Sequence, residues 1–409
     1  MPRKSRPHMT HGGCPPVPGP SATGRPPVGT LPASTLWLLR AAGFTSNFDR
    51  FCIAPMLVVI ASRLGVSLPA VVLAAGGYSL TYGLMQPVWG LAGDLLGRVR
   101  VMRLSLTGAA LAALCSALAP GAPSLIAARA AAGGFFAASI AASLTYIGDT
   151  VPAGVRQRPL SELMTAFALG TAVATAVAGA MSHYLSWRLV FALPGLLAGG
   201  LAVALRRLPE PPRERPSSPL APFHVVLRSR RQWYVMAVAL LEGAVLLGFL
   251  TYLAPALEAH GVPVAVAGAV AALYGAGSMA AAQAVKRLAG RCTPVRLIVA
   301  GGTQMALGYL LAGWDQSVPT LVVTALLLGG GWSFLHSTLQ AWATEVPPPS
   351  ARATGVAMFG VALYTGSALA SGLTAHAAGA HAYRPLFWLA ALLTVPLTAA
   401  AAVGRARFR

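Results

Sequence analysis

Acid is scarce in this sequence: ten Asp and Glu among 409 residues, against 30 Lys and Arg, with charged residues of both signs only 10% of the chain. A globular domain in water draws on about a quarter charged residues to cover its surface, so a soluble fold is excluded. Cysteine is sparse too. The four present (Cys14, Cys52, Cys115 and Cys292) show no Cys-x-x-Cys spacing. Cys52 and Cys115 fall in apolar runs, so neither a disulfide framework nor a metal site is indicated. The Gly-rich stretches at Gly329-Gly330-Gly331 and Gly133-Gly134 have no Gly-Lys-Ser/Thr after them and no strand before them. They read as close-packing helix faces, and an ATP-driven pump is excluded. A membrane enzyme or sensor needs a His/Asp/Glu cluster near one membrane face or an extramembrane domain. Neither is visible, so no enzyme activity, cofactor or metal is expected.

What the chain has instead is apolar length. Hydrophobic residues make up 56% of it and mean hydropathy is +0.66. Crossing a hydrocarbon core takes about 20 apolar residues as helix. Such runs occur near 36–60, 70–94, 101–119, 123–147, 162–182 and 187–206, and again near 233–256, 263–285, 296–314, 319–343, 354–377 and 384–403. Lipid offers the backbone no hydrogen bonds, and these runs are too long for barrel strands, so helices are forced. The expectation is an all-α integral membrane protein of twelve spans.

A net charge of +20 is common in nucleic-acid binders, but here it is concentrated in short segments between the runs. That is the signature of topology, and no nucleic-acid partner is expected. Twenty-four Lys and Arg fall on one side; the other side carries only Arg63, Arg188 and Arg384. The positive-inside rule then places both termini and the long middle connection in the cytoplasm of an inner-membrane protein, which requires an even number of spans. Residues 1–33, with nine prolines and five glycines, read as a disordered tail without a signal-peptide layout. The expected organisation is bundles at 34–206 and 233–403, a linker at 207–232 and a short tail at 404–409.

The two halves repeat at an offset of 196 residues: Asp149 with Glu345, Pro152 with Pro348, Arg156 with Arg352, Gly170 with Gly366, Arg188 with Arg384 and Phe191 with Phe387. Two parallel six-helix units joined by a basic linker form the architecture of a rocker transporter, with its site between the halves near the midplane.

The connection between spans 2 and 3 contains Gly90, Asp94, Gly97 and Arg98. This resembles the loop signature of the major facilitator superfamily, although Leu95 stands where a basic residue is usual. Arg129-Ala-Ala-Ala-Gly133 resembles the family's Arg-x-x-x-Gly motif, and Ser186-Trp187-Arg188-Leu-Val-Phe191 is similar to another family segment. The likeness covers the whole chain and points toward bacterial drug and metabolite efflux members. It implies two pseudo-symmetric six-helix bundles working by alternating access. It also implies a conformational latch at the cytoplasmic ends, made here of Gly90, Asp94, Gly97, Arg98, Asp149, Arg156, Glu345 and Arg352. One departure weakens the export direction: between Glu162 and Ser182 the fifth span has no proline, where drug/proton antiporters usually carry a Gly-Pro pair.

A charge at mid-bilayer costs at least about 3 kcal/mol on insertion scales, so each needs a partner or a job. Such charges are Asp49 and Arg50 in span 1, Arg129 in span 4 and Glu242 in span 7. Resemblance to the family places these three spans around a central cavity. Asp49 beside Arg129 is then a proton-coupling element, since desolvation raises a carboxyl's pKa and a cation lowers it; the alternative is a fixed ion pair. Glu242 is either a second proton or cation site or reaches water near the cytoplasm. Arg50 points about 100° away from Asp49, so the two cannot aim at one spot. Asn47 and Arg50, with Trp332, His336 and Gln340 at i, i+4, i+8, are the expected cavity lining. Tyr78, Tyr82 and Gln86 share the same spacing and read as interhelical packing. The expected partners are a small organic substrate, protons and the lipid bilayer, with the protein a monomer. Export is the leading direction, and proton-coupled import of a sugar, organic acid or amino acid is the alternative.

Overall fold

A computed structural model describes residues 31–152, 155–211, 218, 220–288 and 291–408. The expected N-terminal disorder over residues 1–33 lies almost wholly outside the described residues. Among the described residues twelve helices are long and apolar enough to cross a membrane: α1 (Ala33–Leu64), α2 (Leu68–Leu96), α3 (Arg98–Leu118), α4 (Ala122–Thr150), α5 (Gln157–Tyr184), α6 (Trp187–Arg207), α7 (Arg230–Glu258), α8 (Val264–Leu288), α9 (Pro294–Trp314), α10 (Val318–Glu345), α11 (Pro349–Gly379) and α12 (Tyr383–Arg407). Among the described residues there is no strand. Most helices outrun the expected apolar cores by several residues, because polar end residues still satisfy their backbone by continuing the helix. The connection between α6 and α7 contains a further short helix, Ala221–Arg228.

Three spans are interrupted. In α1 the chain turns at Cys52 and Ile53 and tightens into a 3₁₀ turn over Ala54–Met56, because Pro55 offers no N–H to the preceding turn. In α7, residues Gly243–Gly248 are π-helical, and in α10 so are Trp332–His336. Single π turns inside α-helices gather at functional positions. The first follows Glu242, singled out by its charge, and the second contains Trp332 and His336 of the expected cavity lining.

The duplication visible in the sequence is also a duplication of packing. In the first half α2 packs on α4, α3 on α4 and α6, and α1 on α5; in the second, α8 packs on α10, α9 on α10 and α12, and α7 on α11. The repeated glycines explain one of these pairs. A Cβ on Gly170 would lie 2.6 Å from the Phe44 carbonyl oxygen, and one on Gly366 would strike the Leu240 carbonyl oxygen. Phe44 and Leu240 are themselves 196 residues apart. Only glycine allows α5 and α11 so close to α1 and α7.

The halves meet along α2–α11 and α5–α8. The first seam runs from Pro69 against Gly379 to Gln86 against Gly360. In the second, Gly179 and Gly268 bring the backbones together near the face opposite the termini, where a Cβ on Gly268 would be 2.6 Å from the Thr175 carbonyl oxygen. At the face carrying the termini, ion pairs stay within one half. Arg98 pairs with Asp94 at 2.6 Å and Asp149 at 3.2 Å, Arg40 and Arg158 share Glu162, and Glu345 pairs with Arg405 at 2.6 Å. No ion pair crosses between the halves among the described residues. The Gly179–Gly268 approach joins the halves toward the far face, and among the described residues no ion pair joins them at the terminal one.

Candidate substrate cavity and buried ion pairs

Asp49 and Arg129 are both fully buried. Both carboxylate oxygens of Asp49 lie 3.0 Å from Arg129 Nη1. The other terminal nitrogen, Nη2, donates at 2.7 Å to the Asp49 carbonyl, so Arg129 serves the backbone as well as the charge. The break in α1 makes this possible: the helical ladder runs to Cys52 N–H on Phe48, and the next carbonyl is taken by the guanidinium. Tyr78 and Phe191 cover Arg129 on two sides, at 4.5 and 4.7 Å from ring centroid to Cζ. This is a dry pair with little access to bulk water.

The second half holds a different pair. Glu242, also fully buried, has its Oε1 3.0 Å from His336 Nδ1. Its Oε2 has no hydrogen-bond partner among the described residues. The His336 ring stacks on Trp332 with centroids 3.7 Å apart and meets Phe359 at 5.8 Å. Glu242 ends the α-helical part of α7 just before its π segment, and His336 ends the π segment of α10. The geometry therefore turns Glu242 away from water and gives it a titratable neighbour. Gln340, one turn further, is exposed and does not join the pair.

Arg50 sits one residue from Asp49 and faces elsewhere. With Phe51, Ser79, Thr171, Tyr274 and Ser367 it lines a cavity of about 60 Å³ between the halves. Its Nη1 donates to the Tyr364 hydroxyl of α11 at 2.6 Å. The sequence also places Asn47 in the cavity; the structure turns it to α5, where its Nδ2 donates to the Phe167 carbonyl at 3.0 Å. A buried amide takes the nearest backbone acceptor, and the close approach at Gly170 puts one within reach. Of the Tyr78, Tyr82 and Gln86 stripe, Tyr78 covers Arg129, Tyr82 meets Tyr364 edge-on at 4.8 Å, and Gln86 packs on Gly360.

The loop signature is a compact N-terminal-half device. Gly97 has φ +106°, a region open to glycine, and a Cβ there would lie 2.6 Å from the Glu210 carboxylate. Glu210 accepts from the Val99 and Arg100 N–H groups at 3.1 and 3.2 Å, satisfying the start of α3 and complementing its dipole. Gly90 has open space around its α-carbon. Arg156 donates to the Val151 and Gly148 carbonyls at the end of α4. Its repeat partner Arg352 begins the α-helical part of α11. Sequence reasoning missed Glu210, since a lone carboxylate in a Pro-rich basic connection carries no pattern. It also missed Tyr364, which is not part of any charged or periodic pattern in the sequence.

The family profile described as Major Facilitator Superfamily matches residues 40–285 and 254–407. The chain belongs to this superfamily. It is a multi-pass membrane transporter of the secondary type. The fold recurs in solved structures of low identity. A bacterial homolog of the human lysosomal transporter Spinster, inward-facing and unoccupied, matches at TM-score 0.72 and 17% identity over 92% of this chain and 98% of its own. A D-xylose-proton symporter matches at 0.74 and 16% over 89% and 96%. A mutant of the nucleoside transporter NupG matches at 0.72 and 14% over 90% and 99%. No curated protein sequence matches the chain.

Proposed function

We propose that this superfamily member is a proton-coupled exporter of a small organic molecule, working by alternating access in the bacterial inner membrane. The observation that carries the reading is the fully buried Asp49–Arg129 pair, set apart from the cavity by one residue of helix rotation. Arg129 stabilises the Asp49 carboxylate while the pair is closed. Rocking of α4 against α1 separates them, and an isolated buried carboxyl takes up a proton. Glu242 with His336 supplies a second proton-holding position in the other half. Substrate enters the cavity between the halves and leaves on the opposite side when the seams on the far face part.

With both termini and the 207–232 segment in the cytoplasm, as the basic connections favour, the face at which no ion pair joins the halves among the described residues is the cytoplasmic one. Asp94, Arg98 and Asp149, together with Gly90, Gly97, Arg156, Glu345 and Arg352, form the surface that the two halves bring together when that face closes. The protein acts as a monomer, the cavity being complete within one chain. Import by proton symport is the second reading; it is favoured by the absence of proline between Glu162 and Ser182.

Everted vesicles with an acidified lumen test the reading. Organic cations, neutral molecules and anions are offered in turn, and a substrate should accumulate until an uncoupler collapses the gradient. Accumulation confined to right-side-out vesicles would sink the export direction.

A further inference from the structure

Among the described residues Arg50 is the one charged group lining the cavity between the halves. It forms no ion pair among the described residues, whereas Asp49 is held by Arg129 and Glu242 lies against His336. Its surroundings are aromatic. The Arg50 Cζ lies 4.5 Å from the Phe51 ring centroid, 4.6 Å from that of Tyr364 and 5.5 Å from that of Tyr82. Ring faces attract a cation but do not neutralise it, and a desolvated charge without a counter-charge is unfavourable. The rest of the polar lining is hydroxyl: Ser79, Thr171, Thr175, Thr251, Ser367 and Ser371. There is no carboxylate in it. A cavity built for a cationic cargo would present the opposite charge.

We infer that the counter-charge of Arg50 arrives with the substrate, and that the cargo is an organic anion bound through a carboxylate. This deepens the exporter reading and rests on it only for the word cargo. The guanidinium presents parallel N–H donors that match a planar carboxylate in bidentate fashion. In the present conformation one of those donors is given to the Tyr364 hydroxyl, which belongs to the other half. An incoming carboxylate takes that donor and releases Tyr364, loosening a contact between the halves at the moment of binding. Such loosening is also needed for room. A cavity of about 60 Å³ is far below the roughly 300–1,000 Å³ of organic ligand sites, so substrate binding must part α1 from α11. The apolar body of the anion then lies against Phe51, Leu247 and Leu250, while the hydroxyls meet its polar substituents.

The test is ligand binding to the purified full chain in an uncharged detergent at one pH, read as thermal stabilisation. The probes are matched congeners differing only in charge: phenylbutyrate, phenylbutanol and phenylbutylamine, with a parallel set on a cyclohexyl body. The carboxylates should raise the melting temperature in a saturable way while the alcohols and amines do not. Arg50→Gln should abolish the response, and Arg50→Lys should keep part of it, as a point charge without the fork. Tyr364→Phe removes the competing acceptor and should tighten carboxylate binding several-fold, an effect that a merely structural Arg50 would not produce. Stabilisation by amines or alcohols equal to that by carboxylates, an unchanged response in Arg50→Gln, or no response to any congener would each overturn the proposal. The measurement uses no gradient and no membrane, so a carrier that proves not to be proton-coupled still gives the binding result. A coupled carrier of cations fails it.

Discussion

Arg188 and Arg384, 196 residues apart in the sequence, do the same work in the two halves. Arg188 Nη1 donates to the Ala117 and Ala119 carbonyls at the end of α3, at 2.7 and 3.0 Å. Arg384 donates to the Gly313 and Trp314 carbonyls at the end of α9, through Nε at 3.3 Å and Nη2 at 2.6 Å. The last carbonyls of a helix lack intrahelical partners, and a cation there also opposes the dipole. Besides Arg63, these two are the only Lys or Arg residues on their side of the expected topology. They sit there because a helix end needs them.

Replacing either arginine by Ala should therefore destabilise its own half by about 0.5–1.5 kcal/mol, the net worth of hydrogen bonds that are only partly removed from water. Thermal melts of Arg188→Ala, Arg384→Ala and the double variant in detergent check this. The two sites share no contacts, so their effects should add.

The buried pair behaves differently. Removing one member of a dry ion pair strands the other, so Arg129→Ala should lose about 3–5 kcal/mol. Asp49→Asn keeps the shape and should abolish gradient-driven transport while leaving gradient-free exchange of substrate across the membrane. Unchanged gradient-driven transport in Asp49→Asn would remove Asp49 from coupling. The double variant Asp49→Asn with Arg129→Gln should recover much of the stability lost in Arg129→Ala, but not the coupling.

Gly170 and Gly366 should tolerate no side chain. A Val at either would collide with a backbone carbonyl of α1 or α7, which cannot swing aside as a side chain does, and overpacking of this kind costs about 1–3 kcal/mol or more. Expression yield and melting temperature of Gly170→Val and Gly366→Val report it. A variant as stable as the parent would show that the helices separate without penalty.

Glu210 ties the connection after α6 to the start of α3. Glu210→Ala should cost about 0.5–2 kcal/mol, as for other helix caps. It should also speed amide exchange at Val99 and Arg100 while leaving the α4 amides unaffected. Glu210→Gln should keep part of the protection, since an amide oxygen still accepts.

Asp315 lies in the turn between α9 and α10. It accepts from the Thr320 hydroxyl at 2.6 Å, the Ser317 N–H at 3.3 Å and the Ser317 hydroxyl. Those hydrogen bonds, Ser317's side chain first, hold its carboxyl below the usual aspartate range. A depressed folded-state pKa gives stability that is present above the unfolded value of about 3.9 and is lost as pH falls through the folded value. Asp315→Asn should flatten that acid-side decline, measured as melting temperature between about pH 6 and about pH 3. An unchanged acid limb would exclude the turn as its source.

The number of spans, the twofold repeat and the side bearing the basic connections were all legible in the linear sequence, because lipid imposes them residue by residue. A run must be apolar to lie in hydrocarbon and helical to satisfy its backbone. The repeat carried further than that. The 196-residue offset pointed to Arg188 with Arg384 and Gly170 with Gly366 before any contact was known, and each pair proved to have one physical task. The charges gave less away. Sequence established that Asp49 and Arg50 point in different directions, but not which of them meets the cavity. Tertiary structure decided that Asp49 turns to Arg129, Asn47 to the Phe167 carbonyl, Glu242 to His336, and Arg50 alone to the cavity. The reason is rotation about the helix axis. In a membrane, every face of a helix is apolar enough to meet lipid, so periodicity does not fix how the helix is turned. That is set by the close backbone approaches and π turns, which form only when the twelve helices pack.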